Sequence, residues 1–427
     1  IAHDLMDKVF NTLGIEYTFI KTLEIKELEH IICHHPLVDA GYDFDVPLLP
    51  GNHVTVDAGT GLVHTAPCHG PEDFGVGQRF NLDIPDPIDE SGHYRDSPLV
   101  AGIHVFKADA ILVEALKTRG YLVHHSFYKH SYPHSWRSKA PLIYRATAQW
   151  FVSMSANDLR GKALRAIDEV QWLPAGGKNR ITGMVKNRPD WCLSRQRAWG
   201  VPIAFFIHKT TGQPLIDKDV NERILHAIEH EGCDAWFDSP KERFLGEGYN
   251  AHDFEQSRDI LDVWFDSGAT QSYVLDKRPE LKRQAHFYFE GSDQHRGWFQ
   301  SSLLMGCAHY GNAPFKTVLT HGFCLDSQGK KFSKSLGNGM APEDIIKSSG
   351  AEILRLWVVG CDYTEDVRIG PDIIKHQQDI YRRFRNTLRY LLGALNQTPF
   401  AARDEATLPD YEKFMLHRLA ELHQSHE

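Results

Sequence analysis

Between residues 286 and 323 the sequence runs HFYFEG, then RGWFQSSLLMGCAHY, then FKTVLTHGF. The first and last are short apolar runs rich in aromatic and β-branched residues, and the middle is long enough for a helix. A strand, a helix and a strand in close succession predict two parallel strands joined by a right-handed crossover. No other feature constrains the fold so strongly, because it commits this half of the chain to an open α/β sheet. Ligands of such sheets bind beyond the carboxyl ends of the strands. The residues there are Glu290, Gly291, Asp293 and Gln294 after the first strand and His321 at the end of the second. Gly291 lets a ligand approach backbone, and Asp293 can accept hydrogen bonds from ribose hydroxyls. Ser292 or Asp293 could equally serve as a helix cap.

The stretch 329–338, GKKFSKSLGN, follows the second strand and carries three lysines and two serines between glycines. Lys331 and Lys334 can neutralise phosphate charge on the same edge of the sheet, with Ser333 between them, although a charge run can also be plain solvated surface. There is no GxxxxGK[ST] loop.

The rest of the chain is organised around this unit. Residues 1–125 mix β-branched alternation (Val54, Val56) with glycine and proline turns, and are expected to form a small β-rich domain with some helix, such as ADAILVEALKTRG. Residues 201–255 are polar and uneven, as an insertion would be. Residues 371–396 repeat apolar side chains at helical spacing: Ile373, Ile374, Ile380, Tyr381, Phe384, Leu388, Leu391 and Leu395. The chain is too long for one ordinary domain, and its net charge of -9 gives no global attraction to nucleic acid. Seven cysteines without a CxxC pair fit a reducing, cytoplasmic setting, and no apolar run reaches membrane-spanning length. The first residue is Ile1 rather than Met, and both ends read as cut from something longer.

KFSKS resembles the KMSKS signature of class I aminoacyl-tRNA synthetases, with Phe332 in place of Met. GSDQHRGWF at 291–299, DVWFDSG at 262–268 and WCLSRQRAWGVPI at 191–203 are similar to isoleucyl-tRNA synthetases in particular. The resemblance covers nearly the whole chain and implies a division by residue. Residues 1–125 would be the C-terminal part of an editing domain. Residues 126–338 would be the second half of a Rossmann-type catalytic domain, with the insertion inside it. Residues 339–370 would be a connector, and 371–427 the start of a helical anticodon-binding domain.

The implied chemistry is ATP-dependent ligation of L-isoleucine to tRNA(Ile) through an isoleucyl-adenylate. Glu290, Gly291, Asp293, Gln294 and His321 would contact the adenylate. Trp264 and Trp298 would line the aliphatic pocket, and Lys331, Ser333 and Lys334 would meet the phosphates of ATP, with Mg²⁺ accompanying the nucleotide. An apolar pocket rejects a substrate one methylene smaller by only about 1–3 kcal/mol, and isoleucine against valine in this family is the standard illustration. GTGLVHTAPCHGPEDFGVG resembles the editing site that makes up the difference, with His64 and Asp73 as its hydrolytic-pocket and amine-binding residues. The resemblance also implies a monomer.

Two features depart from the family. The HIGH signature is absent from these residues, and the tetrapeptide HYGN at 309–312 is only a superficial echo. Ser135 and Ser138 stand where some relatives carry a zinc-binding CxxC, so no zinc is expected here. A basic run at 174–197 with Lys178, Arg180, Lys186, Arg188, Arg195 and Arg197 suits a phosphate track for tRNA, joined by the arginines at 382–389. Rival readings are a valyl or leucyl enzyme, a non-catalytic RNA-binding module, and a stand-alone deacylase.

Overall fold

The computed structural model describes residues 1–135, 138–333, 337–397 and 404–425. The chain divides into two compact units, Ile1–Gln149 and Trp150–Glu427, so the first extends beyond residue 125.

The first unit is not β-rich. Among its described residues, one antiparallel pair, Ile32–His34 with Asp45–Pro47, is its only sheet. Val54 and Val56 lie in turns and irregular backbone, because alternation makes a strand only where a neighbour completes the ladder. The expected helix forms at Asp109–Thr118, and a second spans Pro71–Arg79, with Pro71 at a first-turn position where its missing N–H costs nothing. Side-chain bonds across long separations hold the loops. Arg145 Nε donates to Ile88 O at 3.1 Å and its Nη2 meets Asp86 Oδ2 at 3.3 Å, while Arg119 grips Asp39 at 2.9 Å.

The second unit is built on the predicted crossover. Helix α1 (Leu159–Glu169), strand β1 (Gln171–Leu173) and helix α2 (Gly176–Lys186) come first. Helix α3 (Val263–Gly268), strand β2 (Ala285–Gly291), helix α4 (Trp298–His309) and strand β3 (Phe315–His321) follow. The strands form one parallel sheet in the order β2-β3-β1. Helix α4 is apolar nearly all round and is buried accordingly: Phe299, Leu303, Leu304 and Cys307 are at most 1% exposed. Burying each of the larger side chains contributes roughly 1.5–3 kcal/mol. They pack with Val318 and Phe315 from β3, Tyr288 from β2 and Ile181 and Val185 from α2 into one core, which makes the carboxyl edge of the sheet a rigid platform.

Residues 201–255 form a module with their own core around Phe206, Trp236 and Phe244. An antiparallel pair, Phe206–His208 with Phe254–Gln256, is covered by the helix Lys218–Glu231, whose first turn is capped by Asp217. Beyond β3, strand β4 (Cys324–Leu325), helices α5 (Pro342–Ser349) and α6 (Ala351–Val359) and strand β5 (Val367–Arg368) lead into helix α7 (Pro371–Leu395). A third core joins Ile345, Ile353, Trp357, Ile369 and Ile374. Only the first part of the α7 stripe reaches it, through Ile373, Ile374 and Tyr381, while Phe384, Leu388, Leu391 and Leu395 are exposed. No helix among the described residues is long and apolar enough to cross a membrane.

Candidate functional site

Strands β2 and β3 end in register, with Gly291 directly opposite His321. A Cβ on Gly291 would lie 2.7 Å from Asp293 Oδ1 and 3.8 Å from His321 Cε1. A side chain there would have to displace the Asp293 carboxylate, whereas glycine leaves the backbone bare between the two side chains. A 3₁₀ turn, Ser292–Arg296, carries the chain from β2 into α4. Neither Ser292 nor Asp293 caps a helix with its side chain; Asp293 stays exposed beside the strand ends, where Gln294 Nε2 donates to its Oδ2 at 3.2 Å. The cap of α4 comes from Gln294, whose Oε1 accepts from the Trp298 N–H at 2.9 Å. Gln294 is thus a brace between the turn and the helix, a role its sequence position did not reveal. Glu290 is exposed one residue before Gly291. The His321 ring is fixed by its Nδ1–H donating to Gly322 O at 2.8 Å and by Phe289, 5.2 Å away.

Both tryptophans lie beside this turn. Trp298 stacks on Tyr288 with ring centroids 4.0 Å apart and planes within 9°, and its indole N–H donates to Ser267 O in α3 at 3.0 Å. Trp264 reaches in from α3, its Cη2 lying 3.0 Å from where a Cβ on Gly297 would stand. Trp264 remains 42% exposed, so it offers a free aromatic face. Asp262 sets its position. The Asp262 carboxylate, in a residue only 5% exposed, accepts from Trp264 N at 3.2 Å through Oδ1, and from Trp191 Nε1 at 3.0 Å and Arg195 Nη2 at 2.9 Å through Oδ2. One carboxylate therefore joins DVWFDSG to WCLSRQR. Asp266, next along α3, is pushed up by burial and by the charge of Asp262. Asp262 was missed in the sequence because a helix cap looks like any other Asp until its far partners are known; its place two residues before Trp264 was the only signal.

The basic loop is anchored at both ends. Asp326 accepts from the N–H of Gln328 at 2.9 Å and of Lys330 at 2.8 Å, and Asn338 Nδ2 donates to its other oxygen at 2.9 Å. Asn338 Oδ1 in turn accepts from Ser333 N at 2.9 Å, which closes the loop on itself. These bonds hold the Asp326 carboxyl below the usual carboxylate range. Gly329 turns through the left-handed region at φ +79°. Phe332, which replaces the usual Met, is half-buried against the core of α5, α6 and α7. It is the apolar pin that leaves Lys331 outside, exposed, with its ammonium 5.8 Å from the Phe323 ring centroid. Lys334 lies outside the described residues.

In the first unit Asp73 sits in the first turn of Pro71–Arg79. Its Oδ2 accepts from Ala66 N at 2.8 Å, which ties it to the loop two residues on from His64. Its Oδ1 lies 3.8 Å from His53 Nε2. His64 is exposed, near enough to His35 for its charge to add to the burial that lowers that imidazole's pKa. The His69 ring packs on that of Tyr144, 5.2 Å away.

The basic run is thinner than its sequence suggested. Arg188 faces inward, its Nη1 on Gln300 Oε1 at 2.5 Å and its guanidinium over Trp191, and burial lowers its pKa. Arg195 is bound to Asp262, and Lys178 to Asp168 at 2.9 Å. Arg180, Lys186 and Arg197 are exposed. A desolvated guanidinium must find partners, and within this fold those partners are its own residues.

A family profile described as tRNA synthetases class I (I, L, M and V) matches residues 13–370. The chain is 48% identical over 431 aligned positions to the isoleucine–tRNA ligase of Pelagibacter ubique, covering 100% of this chain and 48% of that protein. It is 49% identical to the isoleucine–tRNA ligase of Gluconobacter oxydans, covering 99% of this chain and 45% of the relative. The chain thus spans about half the length of these curated relatives. Among solved structures, Mycobacterium tuberculosis methionyl-tRNA synthetase in complex with methionyl-adenylate is 17% identical, covering 64% of this chain and 47% of that one with a TM-score of 0.42.

Proposed function

The chain belongs to the class I tRNA synthetases (I, L, M and V), and on that premise we propose that it is part of an enzyme that activates L-isoleucine with MgATP and transfers it to tRNA(Ile). The observation that carries this reading is the convergence of Gly291, Asp293 and His321 at one edge of the sheet, with the stapled lysine loop following from the same strand. In the reaction the isoleucine carboxylate attacks the α-phosphorus of ATP and pyrophosphate leaves. Glu290 and Asp293 are suited to accept from ribose hydroxyls, and the bare backbone of Gly291 admits the adenosine. His321 and Gln294 border the same space. Lys331 and Lys334, with the Ser333 hydroxyl, supply positive charge and a donor where negative charge gathers on the departing pyrophosphate, and this kind of stabilisation is usually the largest catalytic term. Trp264 and Trp298 offer aromatic faces, with the Trp298 N–H already given to Ser267 O, and such faces suit a branched aliphatic side chain.

The proposal extends to editing. Asp73, with one oxygen committed to backbone and the other 3.8 Å from His53 Nε2, suits the α-amino group of a mischarged valyl ester, and His64 lies on the adjoining loop. The exposed Arg180, Lys186 and Arg197 and the arginines of α7 would meet tRNA phosphates. The whole enzyme is read as a cytoplasmic monomer. The test is amino-acid-dependent pyrophosphate exchange by the complete protein. Exchange with isoleucine, weaker exchange with valine and none with leucine or methionine is the expected result. Preference for valine or leucine would move the protein to a sister enzyme, and no ATP binding at all would make it an RNA-binding module.

A further inference from the structure

His295 lies beneath the turn that carries Asp293 and Gln294, and nothing in the mechanism above uses it. It is 1% exposed. Its Nδ1 is 2.7 Å from Ser292 O. A carbonyl oxygen can only accept, so Nδ1 carries the proton and Nε2 is left with a lone pair. That Nε2 is buried and unpartnered. Aromatic and glycine surfaces close around the ring. Trp172 of β1 stacks on it at 5.9 Å, Phe299 of α4 meets it edge-on at 5.6 Å, and a Cβ on Gly177 of α2 would come within 2.9 Å of Nε2. A second proton on Nε2 would have no acceptor, and Arg180 of α2 opposes a positive charge there, while the Ser292 carbonyl and Asp293 favour one. Burial, the largest influence, holds the imidazole below its ordinary pKa.

We propose that His295 is a positioning residue for the nucleotide site: as a neutral imidazole protonated on Nδ1, it closes the Ser292–Arg296 turn and so fixes Asp293 and Gln294 at the end of β2. This rests on the nucleotide-site reading given above. The bond ties the first residue of the turn to the fourth, and the walls from β1, α2 and α4 hold the ring still. Asp293 follows Ser292 directly, so freeing Ser292 O lets the carboxylate swing away from the Gly291 floor. Gln294 follows in turn, and with it the cap of α4.

The experiment compares His295→Phe and His295→Asn in the complete protein by isoleucine-dependent pyrophosphate exchange and thermal melting, with Asp293→Ala alongside. Phenylalanine keeps the stacked ring and loses the donor. Asparagine loses the ring and places an amide N–H close to where Nδ1–H was. The expected result is that His295→Phe melts higher than His295→Asn yet raises KM for ATP about five- to tenfold, the worth of one buried hydrogen bond. His295→Asn should stay within about twofold of wild type for ATP, and KM for isoleucine should be unmoved in both. A purely structural role would make activity follow melting temperature, and that ordering overturns the proposal. So does a wild-type KM for ATP in His295→Phe while Asp293→Ala raises it. If Asp293→Ala itself leaves KM for ATP unchanged, the nucleotide-site reading falls, and this inference with it.

Discussion

Replacing Asp262 by asparagine changes one atom and should disturb three contacts. The carboxylate accepts from Trp264 N, Trp191 Nε1 and Arg195 Nη2. With the amide oxygen facing Trp191 and Arg195, the new NH₂ opposes the Trp264 N–H, donor against donor. The helix cap is then lost, at about 1 kcal/mol. The ionic part of the Arg195 bond goes too, worth at most about 1 kcal/mol because that side chain is 40% exposed. The flipped amide would strand the indole N–H of Trp191, in a residue only 6% exposed, at about 1–3 kcal/mol, so the first arrangement prevails. The net loss is about 2 kcal/mol, which lowers the melting temperature by roughly 4–8 °C for a unit of this size. Asp262→Ala removes the acceptor of all three bonds and should cost about 3–5 kcal/mol. The functional effect follows from Trp264, whose backbone N–H the carboxylate anchors: KM for isoleucine should rise about tenfold with KM for ATP unchanged. Differential scanning calorimetry and pyrophosphate exchange on the complete protein check both. A melting temperature within a degree of wild type in Asp262→Ala, with an unaltered KM for isoleucine, would refute the claim that this carboxylate builds the pocket.

Other outcomes follow from the same structure. Phe332→Ala should destabilise the connector by about 2–3 kcal/mol, less than a fully buried Phe would, and slow activation, whereas Phe332→Met should cost under about 1.5 kcal/mol; urea denaturation with exchange assays separates the two. The Cys307 thiol, fully buried and pushed up to about 12, should resist iodoacetamide at pH 8 while exposed Cys324 is alkylated, as peptide mass spectrometry will show. Because its folded pKa lies above its ordinary value of 9.0, stability should fall as pH rises from there towards about 12, where the unfolded thiol ionises and the folded one does not. Asp73→Ala should leave isoleucine activation near normal and let Val-tRNA accumulate, which a deacylation assay measures directly; unchanged deacylation would remove Asp73 from the editing site.

How far the sequence could be read depended on whether a residue's partners were local. The runs at 286–291, 296–310 and 315–323 announced β2, α4 and β3 because period and length suffice for buried elements. The place of Gly291 and His321 at the ends of those strands followed from the same lengths. Asp262, His295 and the Asp326–Asn338 staple were illegible because each is defined by a contact made far along the chain or by the packing around it. The arginines of the basic run misled for the same reason: charge is visible in a sequence, but whether Arg188 turns to solvent or to Gln300 is not. Alternation at Val54 and Val56 predicted a strand that has no pairing partner among the described residues.

The central claim is that the edge formed by β2, β3 and the lysine loop is where ATP is attacked. The measurement closest to it is the rapid-quench rate of isoleucyl-adenylate formation in the complete protein, at saturating isoleucine and ATP, for Lys331→Ala and Lys334→Ala against wild type. If these lysines stabilise charge on the departing pyrophosphate, each variant should slow that single step by about 10²–10³-fold while the affinity for isoleucine holds. Adenylate formation at the wild-type rate in both variants would contradict the account.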